Sequence, residues 1–122
     1  MEMREEKLEA MKAVVDYNPR LLRGLENVAK ELSGDRKEDT DEYLKSVIDG
    51  INWEIQILNR TMDLVNENEE QVNQDEANEL FKSFSAAYKD GDDQKIATSI
   101  TTELVPFFTK FGKIAEAFAE EA

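Results

Sequence analysis

The chain has 122 residues, with 15 Lys or Arg against 28 Asp or Glu, for a net charge of −13. It holds no His and no Cys. That excludes a Ser-His-Asp triad, a thiol nucleophile, a disulfide, a tetrahedral Cys/His zinc site and a Glu-x-x-His di-iron bundle. The acid excess makes nucleic-acid backbones and anionic membranes repulsive partners.

The length predicts a single domain over residues 1–122, large enough to bury roughly two thirds of its unfolded surface. The opening MEMREEKLEA is charged throughout and has no apolar core of a secretory signal. The longest apolar-leaning stretch, Leu104 to Phe118, is interrupted by Thr109, Lys110, Lys113 and Glu116, short of the ~20 apolar residues of a membrane span. A soluble, cytoplasmic chain is expected, which suits the lack of cysteine.

In chain order, Leu8, Met11 and Val15 are followed by Leu22, Leu25, Ala29 and Leu32, in one heptad phase with Asn18 filling the gap. Asn18-Pro19 is also a helix-start signal, and the residue before proline avoids the helical region. The expectation is a kinked or split N-terminal helix, Glu2 to Asp16 and Pro19 to Ser33. From Leu44 a seam runs through Ile48, Ile51, Ile55, Leu58, Met62 and Val65, with a second stripe of Trp53, Ile57 and Leu64 beside it. This apolar arc is too wide for a two-stranded coiled coil and suits a bundle helix with several neighbours. Asp39, Thr40 and Asp41 provide its cap and acidic first turn, and the run Asn66 to Asn73 ends it. Asn52, Asn59 and Asn66 recur every seven residues, either as a solvated rim or as a row that sets register.

Asn73-Gln-Asp-Glu76 reads as a capping box opening a helix that carries Ala77, Leu80, Phe81, Phe84, Ala87 and Tyr88. Gly91 breaks it, Asp92 or Asp93 caps the next helix, and the two should form a tight antiparallel hairpin. The last seam is Ala97, Ile100, Leu104, Phe107, Phe111, Ile114 and Phe118. Pro106 inside it removes a backbone donor and crowds the Thr102 carbonyl, so a kink is expected. Four rods result, and the predicted fold is all-α, an up-down four-helix bundle.

Chemistry is sparse. Loops beginning at Asp35 and Asp90 lack the glycine and the final glutamate of an EF-hand. The five glycines, Gly24, Gly34, Gly50, Gly91 and Gly112, are scattered and form no phosphate loop. Carboxylate pairs such as Asp63 and Glu67 fit a solvated helix face. No catalytic residue, cofactor or metal ligand is assigned, although an all-carboxylate divalent-metal site remains a third reading.

Charge is uneven along the chain: residues 1–33 carry net −1, residues 34–73 net −7 and residues 74–122 net −5. Such a surface attracts a basic partner. Phe107, Phe108, Phe111 and Phe118 lie close together, and Phe108 falls one step off the seam, either in the core or against a partner helix.

Two stretches, Val47-Ile-Asp-Gly-Ile-Asn-Trp53 and Thr102-Glu-Leu-Val-Pro106, resemble small acidic all-helical bacterial proteins, mostly of Gram-positive lineages, that are uncharacterised. The resemblance spans Leu21 to Phe111 and departs at Asp92-Asp-Gln-Lys, where a more apolar entry to the last helix belongs. It implies a helical fold and a bacterial cytosolic setting, and brings no catalytic residue. The expected function is a non-enzymatic interaction module, adaptor or chaperone-like, whose partner is a helical or basic protein segment. Leu104, Phe108 and Phe111 are the expected partner-facing residues, with Trp53 a second candidate. The alternative is a homodimeric structural or regulatory bundle.

Overall fold

The computed structural model describes residues 4–120. The elements are α1 (Arg4–Leu32), α2 (Thr40–Val65), α3 (Gln74–Asp90), α4 (Asp93–Ser99), a π-helical turn (Ile100–Leu104) and α5 (Val105–Ala119). The backbone stays right-handed helical through both junctions of the π turn, so α4, the turn and α5 form one rod. Four rods alternate in direction, as the hydrophobic pattern predicts, and no strand occurs among the described residues.

The N-terminal helix is not split. α1 runs unbroken across Pro19, which corrects the expectation of two segments. Proline costs a helix one hydrogen bond and a steric contact, but α1 is the central rod, with α2 on one side and the α4–α5 rod on the other. Burial along both flanks keeps the helix continuous through the weak point, while the Pro19 ring lies in solvent. Asn18 does not cap a helix; its side chain is buried in the bundle.

Local signals place the other boundaries. Asn73 accepts the Glu76 N–H at 3.0 Å, and Asp92 accepts the N–H groups of Gln94 and Lys95 at 3.0 and 3.2 Å. Gly91, at φ 68°, ends α3 in the left-handed conformation that glycine tolerates best. At the start of α2 the cap differs from the expected one. Asp39 makes no side-chain cap bond. Instead the Thr40 hydroxyl accepts the Lys37 N–H at 2.7 Å and donates to the buried Glu31 carboxylate at 2.8 Å. Arg36 then ties this loop to the Asp41 and Asp93 carboxylates.

Pro106 acts through the π turn. Having no N–H, it cannot bond back into the preceding turn, and the Val105 N–H reaches Ile100 C=O, five residues back. Such a turn holds one residue more than an α turn, so everything after it is rotated by about 100°. The interior seam therefore passes Leu104, Phe108, Phe111 and Ala115, while Phe107 and Phe118 are half-buried. Leu104, Phe108 and Phe111 are 0% exposed, which corrects their expected partner-facing role. They are the centre of the core.

Two glycine notches fix the middle of the bundle. A Cβ on Gly50 of α2 would collide with the Tyr17 hydroxyl, and one on Gly112 of α5 with the Asn18 amide nitrogen. Consecutive residues of α1 thus press into the backbones of both neighbouring rods. Alanine gains about 1 kcal/mol of helix propensity over glycine, whereas overpacking costs about 1–3 kcal/mol. Gly112→Ala should therefore lower stability by on the order of 1 kcal/mol in urea unfolding, and an unchanged or raised midpoint would contradict the notch.

Candidate functional site

α2 approaches α1 closely, but its backbone stays apart from α3. Between α2 and α3 lies an open groove of about 570 Å³. One wall is Ile48, Ile51, Asn52 and Ile55 of α2; the other is Phe81, Phe84, Ser85 and Tyr88 of α3. Spacings of three, four and seven residues put each set on one helical face. Ile48, Ile55 and Phe81 are only partly buried, and Tyr88 is 41% exposed.

The floor is rigid. Phe81 meets Phe107 edge-on at 5.4 Å and Phe108 at 6.2 Å between ring centres, and Phe107 meets Phe108 at 5.2 Å. Tyr88 lies parallel to Phe84 at 6.5 Å. Phe108 therefore supports the groove from behind rather than lining it.

Trp53 is 40% exposed and remains a surface candidate, but the structure does not bring it into the groove. It is two residues from both Ile51 and Ile55, about 200° round α2, where its ring packs edge-on against Tyr17 at 5.2 Å. Of the asparagine row, Asn52 borders the groove and Asn59 is exposed. Asn66 accepts the N–H groups of Gln71 and Val72 and donates to Val72 C=O, closing the loop after α2.

Three residues beyond Ile51, on the core side of α2, is Glu54. It is 0% exposed and neither carboxylate oxygen has a hydrogen-bond partner. The spacing does not reveal this residue, because the heptad seam passes through the adjacent Ile55 and leaves Glu54 off it. Desolvation pushes its pKa up to about 8. By contrast, Lys7 holds the exposed Asp63 carboxyl below its usual range, and Arg36 does the same for Asp93. Among the described residues no three carboxylates converge as metal ligands, and no helix is long and apolar enough to cross a membrane.

Glu54 sets a pH dependence of known sign. In the unfolded chain it ionises near 4.5, and in the native state near 8. Between those values the native state keeps a proton that the unfolded chain has lost. Stability therefore falls as pH rises, by up to about 1.4 kcal/mol per pH unit, and the loss is complete above the native value. Glu54→Gln should melt close to wild type near pH 5 and clearly higher near pH 9. Parallel melting profiles would show that the carboxyl is not buried as described.

The chain was compared with known proteins in three ways. No curated protein and no solved structure matches it. A family model does match, the domain of unknown function DUF8042, over residues 9–114. That span contains both walls of the groove, Glu54 and the two glycine notches. The chain belongs to the DUF8042 family.

Proposed function

We propose that the protein is a non-enzymatic helical interaction module, adaptor or chaperone-like, of the bacterial cytoplasm, and that the α2–α3 groove receives an amphipathic helix with basic flanks. The observation that carries this is the pair of apolar walls, Ile48 and Ile55 against Phe81 and Tyr88, left unpaired between two helices of one bundle. Anchors spaced three, four and seven residues apart are what a helix docking in a groove engages.

Charge selects the partner. Residues 34–73, which include α2, carry net −7. Lysine or arginine at the edges of the incoming helix therefore gains from steering, and salt weakens the encounter.

The test is a fluorescence titration with a synthetic amphipathic peptide of leucine and lysine, beside one of leucine and glutamate. The basic peptide should bind more tightly, and less so as salt is added. Ile55→Glu or Tyr88→Glu should weaken it by about tenfold or more, as central anchors do, while Trp53→Ala leaves it unchanged. Equal binding by all variants, or none by wild type, overturns the reading. A tight dimer in sedimentation, dissociated by Ile55→Glu, replaces it with self-association.

A further inference from the structure

Among the described residues two carboxyl side chains lie in the interior, Glu31 and Glu54. Glu31 receives the Thr40 hydroxyl; Glu54 receives nothing. An ionised carboxylate in such a place is strongly disfavoured. The antiparallel register of α1 and α2, marked by Lys7 on Asp63 and Tyr17 on Trp53, sets Glu54 level with residues 16–18. The charged groups there do not compensate it. Asp16 and Arg20 of α1, Asp49 and Arg60 of α2, and Lys110, Lys113 and Glu116 of α5 are all exposed. Tyr17 and Lys12 are the half-buried titratable groups of α1 nearby; the Tyr17 hydroxyl is held against Gly50, and Lys12 pairs with Glu9. Desolvation alone shifts the carboxyl.

α2 is held at close range from one side. α1 is its one close backbone partner, and its α3 side is the open groove. Loops at residues 33–39 and 66–73 bound it. For an ionised Glu54 the shortest way to water is an outward swing of α2, which spreads Ile51 and Ile55 from Phe81.

We propose that Glu54 is a proton-operated latch: neutral, it lets α2 seat against α1, and ionised, it releases α2 and widens the groove. The effect on docking rests on the reading of the groove given above; the release of α2 does not.

Amide hydrogen exchange between about pH 5 and pH 9 tests the release directly in the wild-type chain. After correction for intrinsic rates, protection of α2 amides should fall by up to about tenfold per pH unit and level off above pH 8. Amides of Ile100, Phe108 and Phe111, which open only with the whole bundle, should fall in parallel from a higher protection. Glu54→Gln should abolish the slope. Equal protection of α2 and α5 amides at every pH would mean that both exchange through global unfolding and would overturn the latch. So would a pH-independent α2, or a slope that survives in Glu54→Gln.

Binding of the leucine–lysine peptide should tighten by about tenfold across the same range in wild type, and stay constant in Glu54→Gln. If α2 exchange follows pH but the peptide never binds, the latch stands and the docking reading fails. If the peptide binds while α2 exchange ignores pH, the reverse holds.

Discussion

The bundle depends on one crossing. Tyr17 and Asn18, adjacent on α1, press in different directions, one onto Gly50 of α2 and the other onto Gly112 of α5. A side chain at either glycine position would displace Tyr17 or Asn18 from its place at that level. The same contacts bear on how α1 survives its proline: the two residues just before Pro19 are each packed against a neighbouring rod. Close approach there has a polar cost, because the Asn18 carbonyl oxygen is left without a partner. Shape, rather than hydrogen bonding, fixes the rods at this level.

From that crossing the asymmetry of the fold follows. α1 is packed on two sides; α3 rests on the α4–α5 rod alone, and α2 has α1 as its one close neighbour. Its apolar arc is wider than one neighbour can cover. The uncovered part is the groove wall of Ile48 and Ile55. The central rod is thus fixed, and the structural freedom lies with the helix that carries both the groove wall and the unpaired interior carboxyl.

Much of this was legible in the residues themselves. Helix caps at Asn73 and Asp92, the glycine stop at Gly91 and the four rods all follow from local chemistry. The breadth of the α2 arc was also visible, as the second stripe beside the heptad seam. Which part of that arc would lack a neighbour was not, because the pairing of rods depends on contacts far apart in sequence, such as Tyr17 on Gly50 and Asn18 on Gly112. Glu54 was hidden for a different reason: composition and spacing treat every glutamate as solvated. The aromatic cluster was misread by a single residue. Phe107 belongs to the regular spacing, and the turn before Pro106 hands its place to Phe108.

That turn makes the last rod two helices with independent phase. Deleting one residue within Ile100–Leu104 would restore ordinary winding and leave α5 in its present phase, whereas tightening the turn at unchanged length would carry α5 round by about 100°. Phe107 would then be drawn toward the interior and Phe108 away from it, and the support behind Phe81 would go with it. The winding of this short segment, more than the identity of its threonines, therefore ties the interior of α5 to the floor of the groove.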